Sequence, residues 1–277
     1  MSQHQAEKAE VFRALHERDG AFVIPNPWDI GTARILEALG FEALATTSAG
    51  YAHSRGMRDG AGVIGRAEML AHACEIVEAS ALPVSADLEN GFGDTPEEAA
   101  ETIRGAIAVG LAGASIEDSN PDPANPMIYD MALAVERIAA SVEAARTADF
   151  PFMLTARSEN FLHGRPDLDD TIARLQAFEA AGADVLYAPG LRSLDQIRTV
   201  CEAVGKPVNV LAGLGPAALT VAELSDAGAS RISLGSNLSR VAFGAFIRAA
   251  KVIQAEGTFN FSDEAASYPE LQEYMQG

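Results

Sequence analysis

Along this chain a helix, a stop signal and a short apolar run recur eight times, and that recurrence limits the fold more tightly than any other feature. The apolar runs fall at 22–26, 43–48, 84–87, 113–118, 153–157, 185–189, 208–212 and 231–235. Each has the length of a strand, and the sequence between successive runs is long enough for a helix. The stops alternate in kind. The second, fourth, sixth and eighth runs follow a helical stretch closed by glycine (Gly40, Gly110, Gly182, Gly228), whereas the third, fifth and seventh follow Pro83, Pro151 and Pro207. Glycine accepts the left-handed backbone that closes a helix and proline cannot continue one, so both devices do the same job at the same place. Apolar runs joined by helical crossovers predict a parallel sheet buried on both faces. Eight such units close most simply as a (β/α)8 barrel, the TIM-barrel architecture of the α/β class. A doubly wound open sheet is the alternative, but no Gly-x-Gly-x-x-Gly turn follows the first run.

The length of 277 residues suits a single barrel domain over 1–277, with an N-terminal helix within 1–20 and a C-terminal tail from about 250 to 277. Residues 5–19 carry Val11, Phe12 and Leu15 at helical spacing, as expected of an amphipathic helix plugging one end of the barrel. Thr95-Pro96-Glu97-Glu98 reads as a capped helix start, and Ser193-Leu194-Asp195-Gln196 repeats the arrangement. Phe259, Phe261, Tyr268 and Tyr274 follow no clear period, and such a tail is expected to dock, with a partner subunit a reasonable place. A formal charge of -19 with no basic patch excludes a nucleic-acid partner. No apolar run approaches the roughly 18 residues of a membrane span, and the N-terminus has no secretory pattern, so a cytoplasmic protein without a membrane partner is expected. Cys74 and Cys201 form neither a disulfide framework nor a metal-ligand spacing and read as buried thiols.

In a barrel of this kind the chemistry lies at the C-terminal ends of the strands. There the chain places Asn26 and Asp29; Thr47, Ser48 and Gly50; Asp87 and Glu89; Glu117 and Asp118; Arg157, Ser158 and Glu159; Asn209; and Ser233. Asp87 and Glu89 are two residues apart, so on an extended backbone they share a side, and a neighbouring parallel strand brings Glu117 beside them. Three acids so placed repel unless a cation joins them. Hard oxygen ligands suit Mg2+ or Mn2+, which use one or two direct carboxylates while the others orient bound water. Arg157, expected across from the acids, is either their salt-bridge partner or a fork for a substrate carboxylate. Thr47-Ser48-Ala49-Gly50 can offer a hydroxyl and successive N–H groups to an anion. Tyr51, His53 and His163 are candidate proton donors.

Thr46-Thr47-Ser48-Ala49-Gly50, Ala86-Asp87-Leu88-Glu89-Asn90-Gly91-Phe92-Gly93, Gly113-Ala114-Ser115-Ile116-Glu117-Asp118 and Thr155-Ala156-Arg157 occur in that order. In these stretches the sequence resembles the isocitrate lyase and phosphoenolpyruvate mutase superfamily, from residue 10 to about 250. The resemblance implies a Mg2+-dependent barrel that binds a 2-oxo acid or a related enolate. By position it implies that Ser48 with the Ala49 and Gly50 amides holds a substrate carboxylate. The same resemblance implies that Asp87, with Glu89 and Glu117 through water, would hold the metal and that Arg157 would contact the substrate. Asp59 matches an acid on the loop after the second strand, and Asn209 a polar residue at the end of the seventh. It also implies a homo-oligomer, dimer or tetramer, with an exchanged C-terminal helix.

The departures choose the reaction. The loop after the fourth strand reads Ser119-Asn120-Pro121-Asp122-Pro123-Ala124-Asn125-Pro126, without the cysteine and lysines of the succinate-releasing lyases or the lysine of the mutases; Pro189 replaces a Glu or His, and Glu89 stands where many members have Asp. The expected function is therefore carbon–carbon bond cleavage in a small 2-oxo or 2-hydroxy (di)carboxylate through an enolate, as a decarboxylase or lyase, with Arg157, Asp59 and Glu117 in catalytic roles. Carbon–phosphorus chemistry of the phosphonopyruvate hydrolase or mutase type, and a 2-oxo acid binder with little turnover, are the alternatives.

Overall fold

The computed structural model of the chain describes residues 3–60, 62–122, 124–213 and 219–276. The eight expected strands are β1 (Phe22–Ile24), β2 (Leu44–Ala45), β3 (Val84–Asp87), β4 (Gly113–Glu117), β5 (Met153–Arg157), β6 (Val185–Tyr187), β7 (Val208–Leu211) and β8 (Arg231–Ser233). All pair in parallel, β2 through β8 in sequence and then β8 with β1. In a doubly wound sheet the first strand lies inside the sheet next to later-crossing neighbours. Here β1 lies beside β8, and the Ala45 amide donates to the Pro25 carbonyl at 3.0 Å, so the two ends of the sheet meet in a nearly closed barrel. The Asn26 side chain adds a bond to the Thr46 carbonyl at 3.0 Å across the same seam.

The stop signals work as the sequence predicts. Gly40, Gly110, Gly182 and Gly228 have φ of +86°, +93°, +101° and +99°, a region that costs an L side chain about 1 kcal/mol or more. The run at 43–48 shrinks to two strand residues because Thr47 turns away to cap α3 (Ser48–Ser54), its hydroxyl accepting from the Gly50 amide. Asp29, read as a rim residue, instead caps α2 (Ile30–Ala38) by accepting from the Thr32 amide at 2.7 Å. The crossover helices α4 (Arg66–Ala79), α5 (Pro96–Ala108), α6 (Met131–Ala145), α7 (Leu168–Ala180), α8 (Leu194–Ala203) and α9 (Val221–Asp226) surround the sheet. The Thr95–Glu98 capping box and the Ser193 cap open α5 and α8 as expected.

The N-terminal helix α1 (Gln3–Glu17) closes the N-terminal end of the barrel. Its Phe12 is fully buried and meets the Phe22 ring edge-on, and its His16 packs between those two rings. At the other end of the chain, α10 (Asn237–Glu256) buries only Ser239 and leaves Val241, Phe246, Ile247 and Ile253 exposed. The last helix, α11 (Tyr268–Tyr274), lies against α2, where Arg34 donates to the Met275 carbonyl at 3.2 Å. Phe259 and Tyr268 stay exposed. Cys74 and Cys201 are free, half-buried thiols raised by desolvation, Cys201 to about 11. No helix among the described residues is long and apolar enough to cross a membrane.

Candidate active site at the barrel mouth

Arg157, the last residue of β5, organises the mouth. The parallel register sets Glu117 of β4 directly beside it, not across the barrel as the sequence suggested. Its guanidinium is 3.4 Å from Asp87, 3.3 Å from Glu117 and in direct contact with Glu159, while its plane lies over the Tyr187 ring. Burial opposes the guanidinium charge, but Glu159, Glu117 and Asp87 outweigh it and hold the group well above the ordinary arginine range. Burial in turn raises Glu117 and Glu159, and Arg157 pulls both back. Ser119 also steadies Glu117, donating from its hydroxyl at 2.5 Å. Beneath them the carboxylate of Asp118, 2% exposed, accepts from the Glu159 amide at 2.8 Å and from Arg174 at 3.0 Å. Asp118 is thus a structural tie between the ends of β4 and β5, not a group facing ligand.

Two cavities meet at Arg157. The outer one, about 240 Å3, is walled by Ser48, Asp59, Glu89, Asn90, Glu117, Ser119, Asn120, Met127, Arg157, Glu159, Leu162 and His163 among others. The inner one, about 50 Å3, is room for a few waters and is lined by Asp87, Asn209, Arg231 and Ser233. Asp87 and Glu89 therefore do not stand side by side on one extended strand. The strand stops at Asp87, and Glu89 has φ of +48°, so it reaches the outer cavity through a turn. Glu117 does adjoin it, since the Glu117 amide donates to the Glu89 carbonyl at 3.0 Å. Burial first, then the charges of Asp87, Glu117 and Asp59, push Glu89 up to about 8. Asp59, exposed on the rim loop, is also raised, by desolvation of its cavity side and by the charge of Asp87.

The expected anion cradle at the start of α3 is already engaged. The Ser48 hydroxyl and amide both donate to Asp87, at 2.8 and 3.2 Å, and the Gly50 amide serves its own cap. Ala49, at the second helical position, lies in the first turn, whose amides have no carbonyl four residues back within the helix to donate to. Gly50 is required sterically: a Cβ there would come within 2.6 Å of Thr47 and 3.1 Å of Trp28. Asn209 lies in the inner cavity, 2% exposed, donating to Ser233 at 2.9 Å and accepting from Arg231 at 2.9 Å. Of the three candidate proton donors, His163 alone lines the mouth. Its Nε2 is 3.8 Å from Glu159, and burial and then Arg157 lower its pKa, so the imidazole is neutral at neutral pH. Tyr51 stacks on His72 and turns its hydroxyl to Glu68 at 3.2 Å, while His53 is exposed and meets Phe243 edge-on.

The sequence places Glu159 on the rim without a role of its own, and assigns none to Ser119 and Asn120. Glu159 repeats the spacing of Asp87 and Glu89, two residues past a strand-end charge, and that repetition is the signal for its role. The 119–128 hairpin, with Asn120 donating to the Met127 carbonyl at 2.8 Å, has no comparable signal.

Among the described residues no three His, Cys, Asp or Glu side chains stand close enough to ligate one ion directly. The chemistry of the donor set nevertheless fits a hard cation that binds largely through water. Asp59, Asp87, Glu89, Glu117 and Glu159 gather around Arg157, and Glu89, which makes no ion pair among the described residues, is raised to about 8 by burial and by its acidic neighbours.

The sequence of residues 12–254 matches the model of a family described as phosphoenolpyruvate phosphomutase. The chain is 30% identical over 217 residues to the 2-methylisocitrate lyase of Escherichia coli (strain K12), covering 75% of this chain and 70% of that one. The fold superposes with a TM-score of 0.96 on a Burkholderia cenocepacia J2315 protein described as a lyase/mutase candidate, 55% identical over 100% of this chain and 98% of that one. It superposes with a TM-score of 0.85 on oxaloacetate acetylhydrolase in complex with its product oxalate, at 27% identity over 98% and 93% of the two chains.

Proposed function

This chain belongs to the phosphoenolpyruvate phosphomutase family, within the isocitrate lyase and phosphoenolpyruvate mutase superfamily, and from that premise we propose that it is a carbon–carbon lyase acting on a small carboxylate. The finer reading is that the substrate is a 2-oxo or 2-hydroxy acid cleaved through an enolate, with Mg2+ or Mn2+ as cofactor. The observation that carries it is the gathering of acids around Arg157 in a cavity at the strand ends. Relatives named 2-methylisocitrate lyase and oxaloacetate acetylhydrolase support the same class of reaction.

Asp87, with Glu89 and Glu117 through water, would hold the cation. When bound it supplies positive charge to the oxygen on which the enolate develops. The chain's own groups do the rest. Arg157, oriented by the Tyr187 ring and by Glu159, presents its guanidinium to the substrate carboxylate from a largely buried place at the mouth, where a charge-assisted bond is stronger than in solvent. Ser48 is set to exchange its bond to Asp87 for one to the same carboxylate, with the Ala49 amide beside it. Neutral His163, next to Glu159, can accept a substrate proton or deliver one at Nε2. Asp59 on the rim loop completes the acidic wall, and Asn209 steadies the floor from below.

The test is incubation with Mg2+ and a panel of 2-oxo and 2-hydroxy acids, together with phosphonopyruvate, followed by mass spectrometry. Two carbon fragments from a single acid are expected. Phosphate release from phosphonopyruvate alone would overturn the reading in favour of carbon–phosphorus chemistry, and binding without any product would reduce the site to a receptor.

A further inference from the structure

A substrate has two ends, and the mouth is equipped for one. Arg157 is the one Lys or Arg among the described residues lining the outer cavity, and Asp87, Glu117 and Glu159 already share it. The undescribed residues include no Lys, Arg or His. Arg157 and the proposed cation can grip the 2-oxo acid end, which leaves nothing cationic for the other. Away from that end the wall includes Ser119, whose hydroxyl is spent on Glu117, the Asn120 amide and the apolar side chains of Met127 and Leu162. The last two are large and 47% and 46% exposed, as suits surfaces that a bound molecule would cover.

The ground beyond is no more welcoming to an anion. A groove of about 690 Å3 continues from Asn90 and Asn120 past Asp94, Glu98, Glu101 and Asp122. Its one arginine, Arg66, is spent on Glu101 at 2.6 Å, the Thr102 hydroxyl at 2.7 Å and the Glu98 carbonyl at 3.1 Å. Arg58, exposed on the same loop as Asp59, does not line the cavity. A second carboxylate or a phosphonate entering here would lose water without gaining a partner, next to charges of its own sign.

We propose that this site, read as above as one for 2-oxo or 2-hydroxy acids, selects substrates whose distal end is uncharged: monocarboxylates with a short alkyl or hydroxyalkyl tail where a dicarboxylate or phosphonate carries its second anion. The proposal rests on the 2-oxo acid reading, and one experiment separates the two. Binding of oxalate, 2-oxohexanoate and 2-oxoglutarate is measured by calorimetry with Mg2+ present. Oxalate has no tail and reports the shared end alone, whereas the other two acids differ in whether the tail ends in methyl or carboxylate.

The expected result is oxalate binding together with 2-oxohexanoate at least ~10-fold tighter than 2-oxoglutarate. If oxalate fails to bind, the underlying reading falls and the proposal with it. If oxalate binds but 2-oxoglutarate equals or exceeds 2-oxohexanoate, the proposal alone falls. Met127→Lys, at an exposed position, should shift the preference at least ~10-fold toward 2-oxoglutarate, and an unmoved preference would show that the missing cation is not what decides. Arg58→Ala should leave the wild-type preference intact; a 2-oxoglutarate preference that this change abolishes would mean that the loop supplies the cation and would overturn the inference.

Discussion

Two arginines are buried at different levels of the same barrel, and they are held in opposite ways. Arg157 at the mouth touches three carboxylates. Arg231, at the start of β8, touches none: its partners are the Asn209 amide oxygen at 2.9 Å, the Thr155 hydroxyl at 3.0 Å and His16 Nε2 at 3.3 Å. Burial pushes Arg231 down to about 10, still charged at neutral pH, whereas its counterpart is held well above the ordinary range. Both line the inner cavity. The mouth thus gathers carboxyl groups around one guanidinium, with burial and mutual repulsion favouring the protonated form of Glu89, Glu117 and Glu159, and the floor holds a positive charge solvated by neutral dipoles. The difference teaches which region is finished. The floor satisfies its guanidinium with hydrogen bonds, while at the mouth Glu89 is pushed up to about 8 with no ion pair of its own among the described residues, a perturbation of the kind that marks candidate functional sites.

The sharpest way to break this contrast is at the mouth. Asp87→Ala should reduce Mg2+-dependent oxalate affinity by at least ~100-fold while the circular dichroism of the fold is retained, since one acid fewer lessens repulsion among the rest. Calorimetry that finds the affinity unchanged would remove Asp87 from the cation site. At the floor the effect is on stability and runs with pH. His16 donates from Nδ1 to the Phe12 carbonyl at 2.7 Å, so its Nε2 lone pair receives Arg231, and burial and that neighbouring cation lower its pKa to about 3. Between about 6.5 and 3 the unfolded chain takes up a proton that the folded one refuses, so stability is full above 6.5 and is lost as pH falls. By pH 4.5 the loss is about 3 kcal/mol. In His16→Gln, urea melts from pH 7 to 4.5 should lack that component, and an acid limb as steep as the parent's would contradict the assignment. The smallest effect separates the proton donors. Tyr51→Phe should change turnover less than ~2-fold, because its hydroxyl serves Glu68, whereas His163→Ala should cost ~10-fold or more in kcat. The reverse order would place the proton path on the rim loop.

How much of this was legible beforehand follows from the range of each interaction. The Gly and Pro stops are local, and β3 and β5 were bounded to the residue. Glu117 was legible because parallel register is regular, and it does lie beside Glu89. Glu89 itself was placed for the wrong reason: alternation along a strand predicts its side, but the chain has left the strand by then. The occupied Ser48 cradle, the tie from Arg174 to Asp118 and the pairing of Arg231 with His16 were not legible. Each joins residues 39 to 215 positions apart, and composition or spacing does not select such partners. His16 lies on a helix for which the sequence pattern marks only Val11, Phe12 and Leu15.

The turn that carries Glu89 has a consequence of its own. Glu89 and Phe92 are the two residues other than glycine with positive φ among the described ones, at +48° and +57°. Arg137 holds this segment in shape by donating to the Asn90 and Gly93 carbonyls, and Tyr129 braces it through Asn90 and Asp94. Glycine at residue 89 would relieve about 1 kcal/mol of conformational cost and forfeit the carboxylate. A thermostability screen left to itself would therefore erode the acidic wall at this position, and the most robust variants it returned there would be among the least able to retain a cation.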